Sequence, residues 1–235
     1  MKALLKNPFK SLTKKDWILY VISLVIVVCA NFFTVNIDYF KMASTIVGAT
    51  ALIFIAKGNV AGQFLIIVFS LLYGTISIRF RYWGEMITYM FMSLPAAVSA
   101  CITWLKNPSK ESKSEVMIAS MTAKKCLLSV LFALTVTVIF HFLLRWFQTA
   151  NLWLSTLSIF TSFLAASFLF LRSRYYALVY AANDVVLIGL WTFASIHSLS
   201  YLPMVVCFLA FLGNDMYGFI NWKRMQDRQR RQNEQ

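Results

Sequence analysis

"YYALVYAANDVVLIGLWTF", residues 175–193, would sit comfortably in hydrocarbon except at Asn183 and Asp184, which fall at its middle. A carboxylate at the bilayer centre costs about 2.5–3.5 kcal/mol on insertion scales, so it has to face protein, water or a ligand. At 3.6 residues per turn, Tyr176, Tyr180, Asp184, Leu187 and Trp191 form one stripe flanked by Asn183, and the opposite face is Val, Ala and Leu. The stretch reads as a membrane helix with one polar, aromatic face. That reading sets the fold class as an all-α integral membrane protein.

Composition extends the reading to the whole chain. Of 235 residues, 60% are hydrophobic and only 13% charged, and the mean hydropathy is +0.68. A soluble domain of this size could not hide so much apolar surface. A spanning helix needs roughly 20 apolar residues. Eight runs qualify, at about 17–35, 42–56, 60–78, 82–104, 124–144, 151–171, 175–196 and 199–222. Most connections are short; the exception is the polar "LKNPSKESKSEVMIASMTAKK", residues 105–125.

The net charge of +13 is distributed by topology. Eight spans put both termini on one side. That side collects 18 Lys and Arg: the N-tail, Lys57, the long loop, Arg172, Arg174 and the C-tail. The other side has four, Lys41, Arg79, Arg81 and Arg145. The positive-inside rule then places both termini in the cytoplasm. Because the basic residues cap apolar runs rather than share one soluble face, the surplus does not point to nucleic acid.

Sliding residues 57–104 by 118 positions brings Tyr73 onto Trp191, Trp83 onto Tyr201, Met86 onto Met204, Pro95 onto Gly213 and Trp104 onto Trp222, with no gap in the connections. The second to fourth helices therefore look like a weak copy of the sixth to eighth, with the fifth as linker. Such parallel repeats are a transporter architecture, with the substrate site at the repeat interface. The chain divides into a basic tail (1–16), an extra membrane helix and loop (17–41), a first three-helix repeat (42–104), a cytosolic loop (105–123), a linker helix (124–150), a second repeat (151–222) and a basic tail (223–235).

Four helices carry polar stripes. Besides Asn183 and Asp184, Asn214 and Asp215 share a side with Gly218 and Trp222; Gln63, Ser70, Tyr73 and Ser77 line the third helix; Tyr82, Glu85, Tyr89 and Ser93 line the fourth. Facing inward, they would line a cavity. The candidate substrate-binding residues are Gln63, Tyr73, Glu85, Tyr89, Tyr176, Tyr180, Asn183, Asp184, Trp191, Asn214 and Asp215. The competing reading gives Asn, Gln and Ser a purely structural role, bonding neighbouring helices for roughly 0.6–2 kcal/mol each. Tyr and Trp near helix ends anchor to the interface, which covers Trp17, Trp83, Trp104 and Trp222. Amide, carboxylate and aromatic rings together describe a site for a small, flat, mostly polar molecule such as a nucleoside or vitamin. Stacked rings also favour a cationic pyridinium. No Lys or Arg lies in the deep part of any stripe, which disfavours a phosphorylated ligand.

The exclusions are broad. There is no GxxxxGK[ST] phosphate loop and no catalytic signature such as His-Glu-x-x-His or Gly-x-Ser-x-Gly, so no ATPase, enzyme or cofactor is expected. The four cysteines show neither disulfide nor metal spacing. His141 and His197 lie near outer helix ends and read as surface or capping residues. A sensor or assembly partner would carry lipid-like stripes without deep polar residues. A homo-oligomer is compatible with the sequence.

"YYALVYAANDVVLIGLW", "SYLPMVVCFLAFLGNDMYGFINWKRM" and "RYWGEMITYMFMSLPAAVSACITWLKNP" resemble PnuC-type nicotinamide riboside transporters in the form typical of low-GC Gram-positive bacteria, over about residues 45–225. The resemblance implies a three-plus-one-plus-three helix fold similar to SWEET proteins, with an extra N-terminal helix. It also implies a bacterial cell-membrane location, and facilitated diffusion of the unphosphorylated vitamin trapped by a cytosolic kinase for NAD synthesis. Many members carry Trp-x-x-Trp followed by Asn on the penultimate helix. The matching positions here are Tyr176, Val179 and Asn183, so the Asn is kept and both tryptophans are replaced. Asn214 matches an Asn of the family's last helix. The missing tryptophans leave other cargoes open, thiamine and deoxynucleosides among them.

The charge count makes a topological prediction. In a cysteine-free background, Ser112→Cys and Gln235→Cys should both resist a membrane-impermeant thiol reagent applied to intact cells. Labelling of either from outside would overturn the orientation.

Overall fold

Apolar runs in lipid must satisfy their backbone internally, and the chain does so with helices throughout. The structure, a computed structural model, describes residues 7–32, 39–79, 86–110, 114–149, 151–197, 199 and 202–233. Eight helices follow in order: α1 (Lys14–Phe32), α2 (Tyr39–Ala56), α3 (Val60–Arg79), α4 (Thr88–Lys106), α5 (Ala123–Trp146), α6 (Leu152–Phe170), α7 (Tyr176–His197) and α8 (Leu202–Asn233). No strand occurs among the described residues, only two isolated bridges. By length and composition α3 to α8 can each cross a membrane, and Met42–Ala56 of α2 is a shorter apolar stretch. The eight expected runs are thus eight helices. Tyr82, Trp83 and Glu85 lie outside the described residues.

The packing closes a ring. α2 packs on α3, α3 on α4, α4 on α6, α6 on α7, α7 on α8, and α8 returns to α2. α1 lies outside the ring against α2 and α8, and α5 lies outside against α6. α3 and α7 therefore stand on opposite walls. α4 opens with a π segment, Thr88–Ser93, before continuing as an α-helix from Leu94. Pro95 explains it: its ring would meet the carbonyl of Phe91 four residues back, and widening the preceding turn relieves that clash.

Two tryptophans lock the ring at one end. Trp104 of α4 donates its indole N–H to Leu169 O near the end of α6 (3.3 Å), and Trp222 of α8 donates to Ile55 O near the end of α2 (2.9 Å). The two rings lie 5.5 Å apart and neither is exposed. These residues were expected as interface anchors. The structure makes them instead the centre of the main core cluster, where each indole N–H adds a second bond to a helix C-terminal carbonyl that already closes its turn. Trp17, by contrast, is 41% exposed.

The turns after α2 and α6 share one hydrogen-bond pattern. Gly58 N bonds Ile55 O and Asn59 N bonds Phe54 O; Arg172 N bonds Leu169 O and Ser173 N bonds Phe168 O. Gly58 and Arg172 both sit at positive φ, 62° and 57°. The Asn59 and Ser173 side chains each accept the N–H two residues on. These turns lie 114 residues apart, whereas Trp104 and Trp222 lie 118 apart. The gapless match read from the sequence is therefore off by one helical turn here.

The segment between α4 and α5 is not a free loop. Val116 N bonds Gly58 O, Val60 N bonds Ser114 O, and Ala119 N bonds Arg172 O. Val116 is fully buried beneath these bonds. The segment thus straps both turns across the tryptophan end of the ring. The C-terminal tail, expected to be solvated, continues α8 and meets the strap. Gln229 accepts from Ile118 N and donates to Val116 O, Arg228 binds the Glu115 carboxylate through both oxygens, and Met225 is buried. Trp222, Met225 and Gln229 recur at helical spacing; with a single aliphatic residue beyond the span, hydropathy alone does not reveal that face.

α1 is clamped by polar bonds. Thr13 and Asp16 form a capping box, in which Asp16 Oδ2 accepts from Thr13 N at 2.7 Å. Lys57 Nζ lies 3.1 Å from Asp16 Oδ2, and Tyr217 Oη donates to Asp16 Oδ1. Farther along, Tyr20 bonds Thr50.

Trp222→Ala empties the volume of a fully buried indole and removes one of the two bonds to Ile55 O. It should cost about 3–5 kcal/mol, and Trp17→Ala well under half as much. Unfolding of the purified variants in detergent checks this. Equal losses would contradict the assignment.

Candidate functional site

Asp184 fixes where the polar chemistry lies. It is 4% exposed on α7, and its Oδ2 has no donor among the described residues. The polar group beside it is a second carboxyl, Asp215 of α8. Two carboxyls can hydrogen-bond only if one holds a proton, and two bare charges in such contact cannot both persist. The pair then carries at most one negative charge. Tyr180 and Tyr176 lie on the same face of α7, their rings 6.2 Å apart, and both interact with Asp215.

α7 and α8 approach closely here because Gly218 has no side chain; a Cβ would stand 3.1 Å from Tyr176 Oη. Tyr176 packs on Trp222 at 4.5 Å and is 1% exposed. It thus belongs to the core at the closed end, with Tyr180 one turn farther along.

The two asparagines are held differently. Asn183 Oδ1 accepts from Thr161 (2.7 Å) and Ser162 (3.0 Å) of α6. Those bonds fix the amide's orientation and leave its N–H₂ with no partner among the described residues. Asn214 turns away from Asp215: its Nδ2 donates to Ser23 of α1 (2.7 Å) and to Ala210 O. Spacing on α8 placed both Asn214 and Asp215 on one stripe. The structure divides them between two neighbours, which gives Asn214 a helix-joining contact and gives α1 a grip on the ring.

On the opposite wall, Gln63 and Ser70 of α3 are fully buried, and Gln63 Nε2 and Ser70 Oγ have no partner among the described residues. A buried polar atom left unmade costs about 1–3 kcal/mol, so three such atoms on facing helices are open to pairing with water or a ligand. Tyr73 and Tyr89 pack at 4.5 Å with their rings tilted by 51°, and Phe69 meets each, at 5.5 and 5.6 Å. Phe69 was not singled out in the sequence because it reads as lipid-facing; its one-turn spacing to Tyr73 was the available signal. Trp191 is half-buried on α7, toward the end away from the Trp104–Trp222 lock. His141 bonds Thr156 between α5 and α6, outside the ring.

Comparison with known proteins gives this arrangement a family. Residues 38–224 match the family model described as nicotinamide mononucleotide transporter. The chain belongs to that family. Among curated proteins it is similar to the nicotinamide riboside transporter PnuC of Neisseria mucosa, 23% identical over 198 residues that cover 82% of this chain and 75% of the relative. It is likewise similar to the protein of that name from Haemophilus influenzae, 24% identical over 189 residues, 80% of each chain. Among solved structures, the crystal structure of the vitamin B3 transporter PnuC superposes with a TM-score of 0.74 over 93% of this chain and 94% of that one, at 20% identity, and so shares the fold. Family and helices together make this a multi-pass membrane transporter.

If the Asn183 amide serves a ligand, Asn183→Ala should weaken binding by more than about 1 kcal/mol, and Val186→Ala should barely change it. Thr161→Ala with Ser162→Ala should show part of the Asn183 effect, because the amide then loses its fixed orientation. Titration of the purified variants with a panel of nucleosides and vitamins reads all three. Equal effects at 183 and 186 would leave Asn183 a structural residue.

Proposed function

We propose that this chain carries nicotinamide riboside across the bacterial cell membrane by facilitated diffusion. The observation that carries this reading is the charge pattern of the ring. Asp184 and Asp215 sit at depth, and no Lys or Arg lies within residues 42–56, 60–78, 88–105, 152–170, 176–197 or 202–222 of the ring helices. Nicotinamide riboside is a singly charged pyridinium on a neutral sugar. One negative charge shared by two carboxyls suits the cation, and intramembrane carboxylates are common counter-ions to ligands. Gln63, Ser70 and Asn183 offer unspent polar atoms to the amide and the ribose hydroxyls. The mononucleotide named in the family description adds a phosphate, which a path without cations disfavours. The names of the curated relatives agree with the riboside.

In this reading Tyr180, Asp184, Asp215, Gln63, Tyr73 and Tyr89 face the substrate, with Trp191 above it; Glu85 is a candidate on sequence grounds. Tyr176 and Asn214 position their neighbours. The parallel repeat, residues 42–104 and 151–222 joined by 124–150, is supported by the reciprocal bonds of Trp104 and Trp222 and by the matched turns at Gly58 and Arg172. The two halves would rock about the site, with the strapped end toward the cytoplasm. The chain does no chemistry on its cargo, and a cytosolic kinase traps the product.

A second cargo is favoured by one observation. Tyr176 and Val179 stand where family members carry tryptophans, so ring stacking differs at this wall. Thiamine, also a cation, fits the carboxyl pair better than an uncharged deoxynucleoside does.

In vesicles containing only this chain, labelled nicotinamide riboside should equilibrate to equal concentrations with or without a pH gradient. Asp184→Asn should change the affinity and leave that end point alone. Accumulation under an inward proton gradient, abolished by Asp184→Asn, would replace facilitation with proton coupling.

A further inference from the structure

Where α1 meets the ring, a pocket of about 380 Å³ opens between the start of α1, the turn after α2 and the middle of α8. Four cations line it: Lys14, Lys15, Lys57 and Arg224. Its neutral groups are already committed to the protein. Thr13 and Tyr217 bond Asp16, and Asn221 donates to Ala56 O. Asp16 itself is fully buried, with Thr13 and Lys57 on one oxygen and Tyr217 on the other, so it neutralises Lys57 and nothing more. Lys14, Lys15 and Arg224 make no ion pair among the described residues, and Asp227, three residues beyond Arg224 on the same helix, is not joined to it.

Three like charges therefore converge on one pocket with no counter-charge among the described residues. They repel one another, and the fold does not use them: α1 is already fixed by Asp16, Tyr20 and Ser23. What remains to face a ligand is charge, two ammonium groups and a guanidinium. That favours a compact anion over a neutral polar molecule, and the guanidinium fork matches phosphate geometry. The depth is set by Trp17, one turn along α1, exposed and stacked on Phe9 at 5.9 Å. Trp in that setting marks the headgroup layer. Basic pockets between helices at the membrane face bind phosphate headgroups.

We propose that this pocket binds a phosphate-bearing anion through Lys14, Lys15 and Arg224, and that the occupant at this depth is the headgroup of an anionic lipid. The site lies outside the ring and does not depend on which molecule the ring carries. Occupied, it ties the extra helix to α8, the helix that carries Asp215.

The purified full chain in neutral detergent at low ionic strength is titrated with short-chain phosphatidylglycerol, with phosphatidylcholine of the same chain length and with inorganic phosphate, while thermal unfolding is followed. Phosphatidylglycerol should raise the midpoint saturably and phosphatidylcholine should not. The triple variant Lys14→Gln, Lys15→Gln, Arg224→Gln should keep the lipid-free midpoint and lose the response. Arg224→Gln alone should weaken the lipid's apparent affinity roughly tenfold, which tests the site even if the triple variant folds poorly. An equal response to inorganic phosphate, lost in the variants, would keep the anion site and overturn the lipid assignment. No response to either anion, or one undiminished by the substitutions, would overturn the site.

Discussion

A carboxyl group in hydrocarbon costs several kcal/mol unless another polar group meets it, and in this chain Asp184 is met by Asp215 across α7 and α8. Much of the architecture follows from that requirement. α7 must turn its Tyr180 face toward α8, α8 needs Gly218 to come close, and the adjacent Asn183 is left to engage α6. Each contact joins neighbours in the ring. The same packing leaves Gln63, Ser70 and Asp184 with unspent polar atoms. A solute with an amide and hydroxyls would answer them, and in our reading that solute is the cargo.

The ring is held shut at one end by reciprocal bonds rather than by apolar packing alone. Trp104 and Trp222 reach across the two halves to helix-terminal carbonyls, and the strap from Ser114 to Ala119 ties the turns that follow those helices. α8 then runs past the membrane to hold the strap through Gln229 and Arg228. A rocking motion of the kind we propose would have to break or rotate these bonds together. That makes the tryptophan pair and the strap the natural gate on this side.

Much of this was legible in the sequence. Hydropathy and the depth of Asp184 gave the fold class and the order of the helices. Polar stripes at helical spacing picked out Asp184, Asp215, Gln63 and Tyr180, which the helices carry on α7, α8 and α3. Other features lay beyond it because they depend on partners distant in the chain. Trp104 and Trp222 look like interface anchors until Leu169 and Ile55 are seen beneath them. Asn214 shares a stripe with Asp215, yet its bond to Ser23 joins residues 191 positions apart. The strap reads as a polar loop because its order comes from backbone bonds, which carry no side-chain signature. The π segment of α4 has only Pro95 as its trace. The capping box at Thr13 and Asp16 is local, whereas its ion pair with Lys57 joins residues distant in the chain.

The central claim is that charge at depth chooses the cargo, a shared negative charge from two carboxyls with no cation to answer a phosphate. Direct binding tests it most simply. Calorimetric titration of the purified chain with nicotinamide riboside and with nicotinamide mononucleotide, under one buffer condition, compares two ligands that differ by the phosphate alone. The account predicts that the riboside binds and that the mononucleotide binds at least about tenfold more weakly, a difference of roughly 1.4 kcal/mol or more. Equal binding of the two, or a preference for the mononucleotide, would contradict it.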